Sequence, residues 1–511
     1  MRKISAFTLF LVWASGAAAQ APQAPRLSHI LPVGGQKGST FELTVTGQFV
    51  DKAQTLHFSF PGAKAEPVGM VEVEDPKTPP KKGKGMRGPQ TSQRFKVTLP
   101  ADAPLGIHDL RLVTEGGISN PRAFVVSAHK ESVEKEPNDD VPQATKVSIN
   151  SSVSGVISAP TDVDYFLFSG KKGQRVIINC LTTSVDSRLP VQIQLFSAGG
   201  SYLGSGRGYW NNDALLDATL PADDDYYVRV CSFTYTVGGP DYFYHLTIST
   251  APWIDSVEPL AVEPGKETKV TVWGRNLPGG TPVPGVSIDG RPIEKAEILV
   301  KAPPEGRATQ RLSYSGTILP PSAMLSGMEL RVKNESGSSN PFLLAFATAP
   351  VVLDNGANDT PETAQKISPP CEISGRIEKK GDKDWYAFNA KKGEPISIEV
   401  IGERLGAPDD LFFQVRDDKG KLITEQDENA ESTSLLFFTR SDDPPRYRFN
   451  PPADGVYHVM ITSREAFSVF GPRHVYVARI GAERPNFHLV AMPAHNTPEG
   501  VTLRQGGHQA F

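Results

Sequence analysis

Carboxylate and amide side chains gather twice in this 511-residue chain, in a pattern suited to a hard cation. Glu134, Glu136, Asn138 and Asp139 come from one stretch, and Asp162 and Asp164 from the next. A second set consists of Asp354, Asn358, Asp359, Asp382 and Asp384. Calcium takes about six to eight oxygen ligands, and carboxylates plus an Asn carbonyl from two loops supply most of them if the fold brings the loops together. The plainer alternative is that Asn138, Asp139 and Asp164 cap turns through side-chain to backbone hydrogen bonds. Gly356 stands in the second set where Glu136 stands in the first, so the first set is the stronger candidate.

A second candidate is an aromatic surface. If the strand that begins at Tyr226 runs on, Tyr227, Arg229, Cys231, Phe233 and Tyr235 share the face opposite Val228 and Val230, with Tyr242 and Tyr244 nearby. Aromatic rings beside an arginine would suit stacking on a sugar ring or packing on a peptide. Ordinary packing against a second sheet or a neighbouring domain is the alternative. Catalysis finds little support: the chain has neither a His-Glu-x-x-His helix nor a Gly-x-Ser-x-Gly elbow, and its three cysteines lack Cys-x-x-Cys spacing. Asp223-Asp224-Asp225 sits in an expected turn, where a solvated loop is the natural reading. The expectation is a protein that is not an enzyme.

Both sets of carboxylates lie in a duplicated segment. Glu136-Pro137-Asn138-Asp139 answers to Gly356-Ala357-Asn358-Asp359, Ser154-Gly155 to Ser374-Gly375, and Asp162-Val163-Asp164-Tyr165-Phe166 to Asp382-Lys383-Asp384-Trp385-Tyr386, all at an offset of 220. Upstream, Ile30, Pro32, Gly38, Val45 and Gly47 pair with Val257, Pro259, Gly265, Val272 and Gly274 at an offset of 227. Ser119-Asn120-Pro121 and Ser339-Asn340-Pro341 return to 220, as a loop of variable length between the blocks would require. The repeated unit is thus a pair of domains. Its apolar residues alternate at period two, as in Phe41 to Thr46, Tyr226 to Val230 and Ile396 to Val400, between Gly, Pro, Asn and Asp turns. The expected fold is all-β: tandem β-sandwich domains, immunoglobulin-like and jelly-roll-like, in a duplicated pair.

Composition bounds the rest. The chain is 39% hydrophobic and 22% charged, with Lys+Arg 53 against Asp+Glu 57, so no global field points to nucleic acid. Arg2 and Lys3, the apolar run from Ala6 to Trp13 and Ala17-Ala18-Ala19 read as a signal peptide over residues 1–19, with no membrane span after its cleavage. The protein is therefore expected to be secreted, periplasmic or at the cell surface. Cys180, Cys231 and Cys371 form no disulfide framework; a bridge between Cys180 and Cys231 and a pair of buried thiols remain alternatives. Residues 66–94 carry a basic loop, read as a solvated hairpin insertion.

These residues bring families into view. Segments 131–250 and 354–481 resemble the bacterial pre-peptidase C-terminal domain, whose pattern is met by Glu136 to Asp139, Ser154-Gly155, Asp162 to Phe166, Lys172-Gly173 and Tyr226-Tyr227-Val228-Arg229-Val230. The second copy departs from it at Gly356-Ala357, and Tyr457, Val459 and Ile461 form its closing strand. Segments 25–128 and 252–350 look more loosely like IPT/TIG immunoglobulin-like domains, and residues 482–511 form a tail or begin a further unit. The first resemblance implies calcium, since acidic and Asn residues of these motifs bind it in the collagen-binding members. It also implies two roles: binding or spacing outside the cell on a polysaccharide or protein polymer, or service as the accessory region of a peptidase partner encoded elsewhere.

Overall fold

The computed structural model describes residues 23–71, 90–304, 325–428, 441–483 and 501–507. The expected signal peptide, the middle of the basic loop and the turn at 495–500 lie outside them. Among the described residues, strands dominate and only short 3-10 turns interrupt them. No helix among these residues is long and apolar enough to cross a membrane.

Four sandwiches follow one another, a leading and a trailing module in each pair. In the first leading module one sheet runs in the order Arg26–Leu31, Thr40–Gln48, Thr91–Thr98, Lys64–Val71. Lys64–Val71 and Thr91–Thr98 are antiparallel up to Val71 opposite Ser92, so the ends of the basic insertion pair as a hairpin. The second leading module repeats this sheet with Trp253–Glu258, Glu267–Arg275, Arg291–Lys301 and Thr281–Ile288.

The trailing modules share one topology of two five-stranded sheets. In the first, Lys130–Val133, Ser151–Val156, Phe243–Ser249, Arg175–Leu181 and Ala214–Thr219 face Thr145–Lys146, Val163–Gly170, Asp224–Ser232, Val191–Ser197 and Tyr202–Gly206. In the second, Val351–Leu353 takes the place of Lys130–Val133 and pairs in parallel with Cys371–Arg376. The sheet of this module thus begins ahead of the expected boundary at 354. Alternation explains the core: Phe166, Phe168, Val228 and Val230 point inward and are fully buried, each Phe contributing about 1.5–3 kcal/mol. Cys180 belongs to this core, Cys231 lies under the opposite sheet face, and all three cysteines are free and buried, which excludes the bridge.

Leading and trailing modules are locked together in the same way twice. The Ser154 hydroxyl accepts from the Val33 backbone N–H at 2.9 Å, and Ser374 accepts from Leu260 at 3.0 Å. Val33, Val125, Val185 and Phe243 form an apolar cluster across the first joint, while Leu405 and Val475, the counterparts of Val185 and Phe243, join the core of the second leading module. Of residues 482–511, the strand Leu503–Arg504 pairs with Gly117–Ile118 at the edge of the first leading module.

Candidate cation site

The Ser-Gly motif positions the first acidic cluster. Gly155 lies opposite Tyr244 in the sheet, and a Cβ on it would stand 2.2 Å from the tyrosine hydroxyl and 2.4 Å from Glu134 Oε2. Only glycine lets the ring and the carboxylate approach this closely. Val163–Gly170 then carries Asp164 inward beside them, and the Tyr165 N–H donates to the Asn138 carbonyl at 2.9 Å, which ties the two acidic stretches together. The fold brings the two acidic stretches together at three positions: one carboxylate oxygen from each of Glu136, Asp162 and Asp164 lies within 4.8 Å of the others.

The protein does not satisfy this cluster by itself. Tyr244 has one hydroxyl proton, yet Asp164 Oδ2 lies 2.5 Å and Glu134 Oε2 2.8 Å from its oxygen. Asn138 is fully buried with neither Oδ1 nor Nδ2 hydrogen-bonded, and Asp164 Oδ1 is likewise without a partner. Buried polar atoms of this kind cost about 1–3 kcal/mol each unless something pairs with them. No lysine or arginine among the described residues forms an ion pair with Glu134, Glu136, Asp139, Asp162 or Asp164. Burial, reinforced by the charge of Glu136, pushes Glu134 up to about 7, and burial beside Glu134 raises Asp164 further. Glu136 is raised by burial and by Asp162, and Asp139 by the hydrogen bond and charge it shares with Asp162.

The donor set fits a calcium ion: carboxylates of Glu136, Asp162 and Asp164, with Asn138 Oδ1, Glu134 and Asp139 adjacent. An ion of charge +2 would remove the repulsion that otherwise keeps protons on the carboxyls. The turn-capping alternative does not describe Asn138, whose side chain makes no hydrogen bond, or Asp164, which accepts from the Tyr244 hydroxyl; the local caps are instead Asp162 Oδ2, which accepts from the Ser158 N–H and hydroxyl, and Glu136 Oε2, which accepts from the Asn138 N–H. Each of these carboxylates keeps further lone pairs for a metal.

The second set is assembled differently. Asp354 Oδ1 accepts from Tyr386 at 2.9 Å, Asp384 Oδ2 from Tyr476 at 2.6 Å, and the two hydroxyls are 2.7 Å apart. Each carboxylate here has its own phenol. Lys379 Nζ donates to Asp359 at 2.7 Å, Asp382 accepts from the Glu378 N–H, and Asn358 donates to the Trp385 carbonyl, leaving its Oδ1 without a partner. Among the described residues, only the first set brings three metal-ligating groups together.

The aromatic surface needs correction. The strand ends at Ser232, and Tyr235 sits beyond it in a turn at φ 52, so Phe233 and Tyr235 do not continue its alternation. Tyr244 is fully buried in the acidic cluster, and Tyr242 packs on the core. What remains outside is Tyr227 and Arg229, half-buried, with Phe233 and Tyr235 exposed. Arg207 lies 4.0 Å from the Phe233 ring centre and Arg229 5.6 Å from that of Tyr235. Sequence reasoning missed the site roles of Tyr244, Tyr386, Tyr476 and Lys379. The pairing of Tyr244 with Tyr476 was obscured because the offset between copies has grown to 232 by that point.

A search of curated proteins finds no match. Among solved structures, the pre-peptidase C-terminal domain of a collagenase from Bacillus anthracis aligns at 16% identity over 22% of this chain and 99% of its own, with a TM-score of 0.18. The secreted serine protease VesC from Vibrio cholerae aligns at 10% identity over 45% of this chain and 51% of its own, with a TM-score of 0.16. Tripeptidyl peptidase 2 aligns at 9% identity over 88% of this chain and 32% of its own, with a TM-score of 0.15. The chain therefore spans about half of VesC and a third of the tripeptidyl peptidase, and scores this low carry no weight for function. Residues 382–463, the greater part of the second trailing module, match the family model of the bacterial pre-peptidase C-terminal domain.

Proposed function

We propose that this chain is an exported, non-enzymatic scaffold that binds or spaces partners at or outside the cell surface, with one calcium ion stiffening its first trailing module. In this reading both trailing modules are pre-peptidase C-terminal domains and both leading modules are immunoglobulin-like domains of IPT/TIG type. The observation that carries the calcium assignment is the fully buried Asn138, unpartnered at both side-chain atoms, beside carboxylates that no cation of the described chain neutralises. Binding would seat the ion where Glu134 and Asn138 enter the sandwich, directly after the strand Lys130–Val133 that leaves the first joint.

The partner is an extracellular polymer, with Tyr227, Arg229, Phe233 and Tyr235 as its contact surface. The match of residues 382–463 favours a second reading, in which the chain is the accessory region of a secreted peptidase whose catalytic part is encoded elsewhere. Pull-down of the full chain on collagen, cellulose and chitin tests the first, with Tyr235→Ala as the variant that should lose retention. Co-purification of a peptidase with the chain, and no retention on any polymer, would favour the second.

A further inference from the structure

The four sandwiches leave a cavity of about 340 Å3 where they meet. One wall is the outward face of a sheet of the first trailing module, on which Asn179 alternates with Ile177 and Leu181, and His245 with Thr247 and Ser249. The leading modules contribute residues 125–129, 251–255 and 338–343, and the second trailing module contributes 404–406 and Arg473. Small-molecule sites occupy about 300–1,000 Å3 and favour domain interfaces.

Its lining separates it from a packing gap. Tyr209, Trp210 and Trp253 are only half-buried, so ring surface remains uncovered. The Tyr209 and Trp253 rings meet edge to face at 5.6 Å, Trp253 Nε1 donates to the Tyr209 hydroxyl at 2.9 Å, and that hydroxyl donates to Asp255 at 3.2 Å. The aromatic corner is thus held rigid by its own bonds. Arg473 stacks on it, with its guanidinium 4.0 Å from the Tyr209 ring centre, and donates to the Tyr209 carbonyl at 3.3 Å.

Charge pairing singles Arg473 out. Arg404 pairs with Glu399 and Asp443, and Arg331 with Glu329. Arg473 has no carboxylate within ion-pairing distance among the described residues. Across the cavity, His245 is 2% exposed and its Nδ1 has no hydrogen-bond partner, while Nε2 is held by Glu131. A stacked guanidinium with free donors and flat aromatic faces line one half-open space.

We propose that this junction cavity binds an acidic sugar, a uronic-acid residue whose ring lies against Tyr209, Trp210 and Trp253 and whose carboxylate pairs with Arg473. Sugar C–H faces pack on aromatic rings, and a guanidinium grips a carboxylate through two parallel N–H bonds. Asn179 and Thr247, half-buried on the wall, supply hydroxyl partners. A neutral hexose lacks the ionic contact, and an inorganic anion lacks the ring. The site is independent of the calcium reading.

The test is calorimetry and tryptophan fluorescence on the full chain with glucuronate, glucose, sulfate and a short oligouronide. Glucuronate is expected to perturb the emission and to bind at least about tenfold more tightly than glucose, a difference of about 1.4 kcal/mol. Arg473→Gln should lower its affinity by about tenfold or more and Arg473→Lys by less, because lysine keeps the charge but neither the two parallel N–H bonds nor the stack on Tyr209. Trp210→Ala should weaken glucuronate, and Tyr202→Ala, on the exposed surface, should not. Oligouronide binding as tight as the monomer assigns the ligand to a polymer end, and binding of the monomer alone assigns it to the free sugar. No glucuronate binding by folded protein, equal binding of glucose, displacement by sulfate, or affinity unchanged in Arg473→Gln and Trp210→Ala would each overturn the proposal.

Discussion

Asp164 and Asp384 occupy the same place in two sandwiches of the same strand order, with Asn138 and Asn358 buried beside them. Among the differences around them, four run in one direction and Ser158, which becomes Glu378, runs against them. Glu136 becomes Gly356, which removes an acid; Phe166 becomes Tyr386, which adds a hydroxyl; Ala159 becomes Lys379 and Val156 becomes Arg376, which add cations. Arg376 is held by Glu378, the one acid gained, and Lys379 by Asp359. Asp139 and Asp359 show the result: sharing a hydrogen bond with Asp162 raises the first, whereas the hydrogen bond from Lys379 lowers the second. The second module pairs its outer acid Asp359 with a lysine of its own, although burial raises Asp384 as it raises Asp164; the first has no such lysine among the described residues, and the proposed calcium ion would take that place.

The comparison can be broken most directly by removing the buried carboxylate on each side. Asp164→Ala should weaken calcium binding by 100-fold or more, about 2.7 kcal/mol, whereas Asp384→Ala should leave calcium titrations of the full chain unchanged. Equal effects would mean that the two modules bind alike.

Acidity supplies the next test. In the calcium-free protein Glu134 has a folded pKa of about 7, above its unfolded value. Between roughly pH 4.5 and 7 the folded state therefore holds a proton that the unfolded state has lost, and stability falls as pH rises through that window, by on the order of 2 kcal/mol. Thermal melts across this range should show the fall; saturating calcium should flatten it, and Glu134→Gln should reduce it, leaving the part that the raised Asp164 contributes. A calcium-free stability that rises with pH up to 7 in both backgrounds would contradict the burial argument.

Exchange of the differing residues sharpens the contrast further. Ala159→Lys should lower calcium affinity about tenfold and raise calcium-free stability, since the ammonium takes over part of the ion's role. The reverse change, Lys379→Ala with Gly356→Glu, should create at most weak binding, because Gly356 sits at φ 64, where a side chain costs about 1–2 kcal/mol. The smallest effects should be alike in both copies. Ser154→Ala and Ser374→Ala each leave one backbone N–H at a joint unpaired and should cost about 1–2 kcal/mol in chemical denaturation.

Much of this was legible in the chain because it was written twice. The repeated Asn-Asp and Asp-x-Asp motifs located both clusters, and period-two alternation gave the all-β fold. The repeat did not show why Gly155 and Gly375 are kept, since the reason is a tyrosine on a neighbouring strand in each case. Tyr244 therefore read as a surface aromatic when it is the shared donor of Glu134 and Asp164. Tyr235 misled for a local reason: tyrosine carries no turn signal, yet it stands in the left-handed region just past the strand. Val351–Leu353 pairs in parallel with a strand about twenty residues on, a contact that no local pattern announces.

The central claim is that calcium enters the first trailing module and not the second. Isothermal titration of the full, metal-stripped chain with calcium measures this directly, with Asp164→Ala and Asp384→Ala in parallel. The account predicts a single site, abolished in the first variant, retained in the second, and accompanied by a rise in melting temperature. Two equivalent sites, or binding that survives Asp164→Ala and disappears in Asp384→Ala, would contradict it.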